Sequence, residues 1–533
     1  MNQLNSKNTQ GVVTALLNAA PVVVIAVLSF FLFAGAVTKE LGHDEHMYCT
    51  AGYLTAQGKV IYRDFSYVAQ LPYHPLILAA LYKITGTNHY LLVGRGFSVV
   101  CEVGILVCIA GICRSVLRRF PFWAAGFAIA GTVIYAMNPF VIYSCGYAWN
   151  HSAVILCVLI CLWLFADPDF SRMNFLRLCV IGALLTVATF NRPTTGLVYV
   201  VFAVAIIIMA PGRLKKGKVT ALPFIVGSVV FALYPLILIS KAPEAFLLNV
   251  VRIPALNAAF LRQAGWVYDK AQLTAAALLS PAYFCLIVLG SYLGLMSFLQ
   301  RRTAAASDKP KGRLFAAVAA AFAAIAFIPP TMWIQYWAAP VPFIVTALAY
   351  PANRLCDAAA KDSRQRRYLV GTAVMIAILA GVSLYEGLPS AIANVMDICD
   401  KDKWVPLHIH KISEDIHRKT VAEGPILTLA PLYAIEGGSQ IYPQFSAGPF
   451  VYRIADRLSD SQKHIVGAAG AADLNDLINR QLPSAVVLGT EPKLLEEPIL
   501  QAVVGTDWRK EVYEPNGPFA YFRNADSAPS GTR

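Results

Sequence analysis

An acidic pair, Asp44-Glu45, follows directly on the first long apolar run of the chain, with His43 and His46 on either side. Carboxylates placed where a membrane span ends point to chemistry at a lipid–water boundary. Asp44 has a purely structural alternative as the N-cap of a following helix, a common fate of Asp in this position. The four adjacent ligand types do not have the spacing that wraps one ion, so no metal site is expected there. Five arginines lie on the same side of the apolar runs as this pair: Arg63, Arg95, Arg192, Arg252 and Arg262. Arg95 falls inside an apolar run, where a charge is costly and usually functional. Arg192, in Phe190-Asn191-Arg192-Pro193-Thr194, stands at a helix turn, where snorkelling toward headgroups is an equal alternative. Arg252 and Arg262 are equally compatible with a plain interfacial helix.

The elements that must position these residues are membrane helices. Apolar residues make up 57% of the 533 and charged ones only 14%, against about 25% charged in soluble domains. The mean hydropathy is +0.56. Eleven runs have the apolar character of a span, for which a helix needs about 20 residues. They lie near 16–38, 89–113, 121–141, 151–166, 176–191, 194–211, 219–240, 273–299, 314–330, 336–351 and 368–387. The expected fold is a polytopic α-helical membrane protein of about 11 to 13 transmembrane helices, with a C-terminal extracytoplasmic α/β domain.

Charge sets the orientation. The net +13 divides unevenly: residues 387–533 carry 14 Lys+Arg and 18 Asp+Glu, which leaves +17 on the remainder. This basic excess marks topology, not nucleic acid. It gathers in four loops: Arg114, Arg118 and Arg119; Arg213, Lys215, Lys216 and Lys218; Arg301, Arg302, Lys309, Lys311 and Arg313; and Arg354, Lys361, Arg364, Arg366 and Arg367. All four are cytoplasmic by the positive-inside rule. The N-terminus is then inside, while 39–88, 241–272 and the C-terminal part are outside. The first run ends Phe33-Ala34-Gly35-Ala36, like a signal-peptide cleavage site. Its apolar length, Ala19 to Thr38, reads instead as an uncleaved anchor. Cysteines lie mostly within apolar runs and show no metal-binding or disulfide spacing.

Two parts follow: a membrane unit, 1–387, with a structured first outer loop at 39–88, and an outer domain, 388–533. In the loop, the spacing predicts an interfacial helix from Asp44 to Gln57, closed by Gly58, with Met47, Tyr48, Ala51 and Leu54 on its apolar side. In the outer domain, 425–429 and 485–488 read as buried strands, 472–478 as a helix, and 511–513 with 519–522 as a closing hairpin. His408, His410 and His417 read as solvated surface.

The loop resembles that of a known family. The pattern Asp44, Glu45, Gly58, Tyr62, Pro75, Leu76 and Arg95 is similar to the first lumenal loop of protein-mannosyltransferase-like and aminoarabinose-transferase-like enzymes of the glycosyltransferase-C superfamily. Gln335-Tyr336-Trp337 with Pro340 and Pro342 is similar to the aromatic and proline segment at the outer end of a late helix in that family. The resemblance covers the membrane unit. Where many members have Lys-Pro-Pro, this chain has Tyr73-His74-Pro75, so the basic group is missing or replaced by His74.

The resemblance implies an inverting transfer of a sugar from a polyprenyl-phosphate donor to an extracytoplasmic acceptor: lipid A, lipopolysaccharide core, a cell-wall glycan or protein. It implies Asp44 as the base and cations for the leaving phosphate. Glu45 would hold the acceptor or position the loop, and Arg63, Tyr73, His74, Arg95, Arg192, Arg252, Arg262 and Tyr336 would bind substrate. No cofactor is implied, a divalent cation stays open, and the partners are the lipid donor, the acceptor and membrane lipids, with no nucleic acid. The location is the bacterial inner membrane with a periplasmic outer domain. Two other classes fit the composition. A flippase or transporter of lipid-linked sugars would call for inverted repeats and charges deep in several spans, and neither is evident. An oligosaccharide ligase or polymerase would lack the Asp-Glu start of the loop.

Overall fold

The computed structural model describes residues 2–166, 175–209, 221–266, 269–299, 308–503 and 508–524. The basic cluster Arg213–Lys218, Arg301 and Arg302 lie outside the described residues. Among the described residues, nine α-helices come first: α1 (Asn2–Thr38), α2 (His43–Ala56), α3 (Tyr73–Thr85), α4 (Tyr90–Val116), α5 (Pro121–Ala136), α6 (Pro139–Ser144), α7 (His151–Ala166), α8 (Phe175–Thr189) and α9 (Gly196–Met209). Helices Leu222–Lys241, Pro281–Leu299, Asp308–Ile325, Val341–Ala359 and Ser363–Ile398 complete the bundle.

Each apolar run coincides with a helix, but length and composition qualify fewer of them as spans. Among the described residues, Val12–Thr38, Tyr90–Val116, Leu222–Lys241, Pro243–Gln263 and Ser363–Ile398 are long and apolar enough to cross a membrane. The run at 273–299 is no straight rod. Helix Lys270–Leu279 meets Pro281–Met296 at 76°, because Pro281 lacks the N–H that would continue the ladder. Helices at 121–136, 151–166, 175–189 and 193–208 are shorter than 18 residues. Pro243–Gln263 passes on composition, yet its Ala245, Leu248 and Ile253 pack with Ile61, Phe65, Ala447 and Val451. That face packs against the first loop and the sheet domain.

Those basic clusters that fall among the described residues share one end of the bundle. Arg119, at the α4–α5 turn, lies 3.9 Å from Asp357 at the foot of Val341–Ala359. Lys311 and Arg313 flank Gly312, whose missing side chain faces Tyr350 and Arg354. Asp44 stands at the opposite end, where α1 hands over to α2.

Beyond the bundle, β1 (Ile426–Thr428), β2 (Ala485–Leu488), β3 (Trp508–Val512) and β4 (Phe519–Arg523) form one sheet in the order β1-β2-β4-β3. β1 and β2 are parallel, with Ile426 opposite Ala485. β3 and β4 close it as an antiparallel hairpin. The strands lie where the buried apolar segments predict them, and the helix before β2 is Leu474–Arg480. The last bundle helix runs unbroken from Ser363 to Ile398, so nothing in the backbone marks a boundary at 387.

The first outer loop is clamped between the bundle and the sheet domain. Cys49, Leu91 and Ala148 share one apolar core with Ile409, Ile426, Leu432 and Phe522. Met47, Tyr48 and Ala51 share another with Trp149, Ala447 and Val451. Helix α2 is therefore buried from Glu45 to Gly52 and does not lie on the membrane surface. Its amphipathic side faces the outer domain, which hydropathy cannot tell from lipid.

Candidate active site

Helix α2 starts at His43, one residue before the expected position, and Gly42 is its N-cap. Glu45 takes over the capping: its carboxylate accepts from Gly42 N–H at 2.8 Å and from Ala148 N–H at 2.8 Å. Asp44 is thus not the cap. It stands on the first turn, and its carboxylate has no hydrogen bond among the described contacts. Burial pushes Asp44 above the usual carboxylate range, and Glu45 adds to this. The charges of His43, Arg453 and Arg192 act against it. It remains partly exposed.

Arg192 reaches this point from the far side. Pro193 ends the approach of α8 and forces the residue before it into extended backbone; Arg192 has φ −141° and ψ 112°. Asn150 Nδ2 donates to Asn191 O at 2.9 Å and holds the turn. The guanidinium lies 3.0 Å from His151 Nε2 and 4.7 Å from the centroid of the Tyr336 ring. Arg192, His151 and Tyr336 form the polar rim of a cleft whose walls include Val154, Ile155 and Phe322. The lining thus combines a guanidinium and aromatic rings with aliphatic side chains.

The outer domain contributes the rest. Gly448, at φ +60°, places its Cα within reach of Leu429 O, where a Cβ would approach to 2.9 Å. This left-handed turn launches helix Pro449–Ala455, which carries Arg453 toward Asp44. Arg453 donates to Asn257 Oδ1 at 2.5 Å and packs 5.0 Å from the Phe450 ring centroid. Burial lowers it to about 10, while Glu491 and Asp44 act to raise it. Glu491 pairs with His43 at 2.9 Å, and that hydrogen bond holds His43 above its ordinary value. The sequence carries no spacing that joins His151, Arg453 or Glu491 to Asp44; only the packing does.

Other expected site residues lie elsewhere. Arg95 is completely buried and spends all five guanidinium donors within the chain. Nε and Nη2 bind Glu45 at 2.9 and 2.7 Å, Nη1 binds the carbonyls of Ala36 and Lys39, and Nη2 also binds that of Glu40. None is left for a phosphate, so the substrate contact expected of Arg95 and Glu45 gives way to a buried pair that fixes the α1–α2 corner. His74 is buried and its Nε2 lies 3.2 Å from Ala148 O. Burial lowers it to about 4, so it is neutral and supplies no positive charge. The Tyr73 hydroxyl donates to Phe231 O. Arg63 is exposed and paired with Asp64 at 2.8 Å, and Arg252 and Arg262 are exposed.

The sequence reading passes over Glu102, and His410 departs from it. Glu102 is buried in the middle of α4, accepting from Tyr135 and Ser152 at 2.6 Å each. A lone acid in an apolar run was the available signal. His410 is buried, not solvated; Ile409, Ile412 and Ile416 mark the inner face of its helix.

No protein-family model and no curated protein matches the sequence. Solved structures do. ArnT from Cupriavidus metallidurans in the apo state aligns with a TM-score of 0.59 at 13% identity, over 96% of this chain and 99% of that one. The same protein bound to undecaprenyl phosphate gives 0.57 at 14%, with the same coverage. The Archaeoglobus fulgidus oligosaccharyltransferase gives 0.50 at 12%, over 94% of this chain and 73% of that one. Such low identities establish architecture alone, and they establish it over nearly the whole chain: it has the fold of ArnT and of the archaeal oligosaccharyltransferase.

Proposed function

We propose that this integral membrane protein is a glycosyltransferase that moves a sugar from a polyprenyl-phosphate donor to an acceptor hydroxyl on the outer face of the bacterial inner membrane. The observation that carries this reading is the convergence of Asp44, with its elevated pKa, and Arg192, which guards an apolar cleft. Arg192, over the Tyr336 ring, suits the donor's phosphate, and the apolar side chains beside it suit the start of its lipid. A lipid-phosphate ligand of this class occupies the similar ArnT fold. Asp44 takes the proton of the acceptor hydroxyl as its oxygen attacks the anomeric carbon. The bond from that carbon to the phosphate oxygen breaks, and the phosphate leaves with the electron pair. Arg192, with Arg453 from above, offsets the developing charge in a site shielded from water. Glu45 and Arg95 position the loop. The donor enters from the membrane, the acceptor from the periplasmic side beneath the outer domain.

The test is Asp44→Asn in purified protein, assayed for transfer from an undecaprenyl-phosphate sugar. Asn keeps the size and polarity but takes no proton, so transfer falls by a factor on the order of 10²–10⁴ while melting stays near wild type. Full activity in this variant removes the base from the mechanism.

A further inference from the structure

We propose that His89, His410 and Glu436 form a zinc site that fastens the outer domain to the membrane unit, a role independent of the transfer chemistry. His89 is the residue before α4, the helix that carries Arg95. His410 lies on helix Val405–Lys419, and Glu436 follows the short helix Leu432–Ile435. One ligand atom from each of the three lies within 4.8 Å of the others.

Each side chain is prepared for an ion. Glu436 is fully buried. Its Oε1 accepts the Leu91 N–H at 2.6 Å, one of the unpaired donors in the first turn of α4, and its Oε2 turns toward His410. His410 Nδ1 stands 3.3 Å from that Oε2. Two ligands on one tetrahedral zinc, each bonded at about 2.0–2.2 Å, are about 3.3 Å apart. The other nitrogen of His410, Nε2, faces Glu414 Oε1 at 3.3 Å. This is the outer carboxylate that holds a ligating imidazole in one tautomer. The His89 ring centroid lies 3.7 Å from that of His410, and its Nδ1 is buried with no hydrogen-bond partner. Two imidazoles crowded beside a buried carboxylate gain most from a shared dication. Two nitrogen donors and one oxygen select zinc-like metals over magnesium or calcium. Water completes four-coordination.

The site joins separate parts of the chain. Asn88 Nδ2 also donates to Glu436 O at 3.2 Å, so the start of α4 and the outer domain already touch at this seam. Zinc there would lock the outer domain over Asp44.

The experiment uses the full-length protein in detergent, stripped with a chelator, incubated with zinc chloride and desalted. Metal content and melting temperature are then measured. The expected result is one equivalent of zinc per chain and a rise in melting temperature, both lost in His410→Ala and in Glu436→Gln. Gln keeps an oxygen for the Leu91 N–H, so folding is retained. His89→Asn, at the partly exposed edge of the cluster, gives the same loss if His410→Ala fails to fold. Magnesium chloride produces neither effect. Wild-type protein that retains no zinc, or zinc content unchanged across the three variants, overturns the proposal.

Discussion

Asp44 and Arg95 are both charged residues in apolar surroundings, and their environments assign them opposite work. Asp44 has no hydrogen-bonding partner to hold it ionised, and burial raises it above about 3.9, the ordinary value. A base works only when deprotonated, so kcat/KM should fall as pH drops through that elevated value, and the residual rate of Asp44→Asn should lack this acid limb. A pH–rate profile of both proteins checks this. Arg95 and Glu45 are each fully buried and bonded to one another. Arg95→Ala leaves Glu45 uncompensated, at a cost of about 3–5 kcal/mol, and the variant should express poorly or melt early. Arg192→Ala should melt near wild type yet bind undecaprenyl phosphate more weakly. Melting curves and lipid-phosphate binding on the two purified variants distinguish these roles, and equal binding by Arg192→Ala removes Arg192 from the donor site.

At the scale of elements, the first outer loop is held by helices packed closer than ordinary side chains permit. Gly52 is where α2 crosses α3: a Cβ there would meet Leu78 Cβ at 2.7 Å and the Tyr82 ring at 2.9 Å. Gly52→Ala must therefore push the helices apart, an overpacking cost of about 1–3 kcal/mol. It also tilts the turn that carries Asp44. Gly96, on α4, has nothing within 4 Å of its would-be Cβ, so Gly96→Ala should be neutral or slightly stabilising. Thermal melting and transfer rate for the pair read this out: a Gly52→Ala protein as stable and active as wild type shows that the crossing is not tight.

For the whole molecule, the basic end and the Asp44 end of the bundle predict sidedness. By the positive-inside rule the basic loops are expected in the cytoplasm and the outer domain on the opposite side. Single cysteines at Lys59 and Lys493, both exposed on the Asp44 side, should react with an impermeant thiol reagent in spheroplasts. Cysteines at Arg118 and Arg364, exposed at the basic end, should react only after lysis. The background needs Cys399→Ser, since Cys399 is the exposed native thiol among the free cysteines. Reaction at Arg118 in intact spheroplasts inverts the orientation.

Hydropathy is summed along the chain, so the apolar runs, the basic loops between them and the buried strands at 426–428 and 485–488 follow from sequence alone. The Asp44 loop was legible for the same reason: its acids, Gly58 and flanking aromatics are neighbours in sequence. Burial of Arg95 was foreseeable as a cost, since a charge in an apolar run needs a partner. That the partner is Glu45, 50 residues away, depends on how α4 packs on the α1–α2 corner. Composition likewise marked α2 as amphipathic, but burial against protein and burial against lipid have the same apolar signature. The helix therefore turned out to face the outer domain. Arg453, Glu491 and His151 reach Asp44 only because separate elements converge on it, as His89, His410 and Glu436 converge on one another. Convergence of distant side chains is a property of packing in three dimensions, and only the tertiary structure decides it.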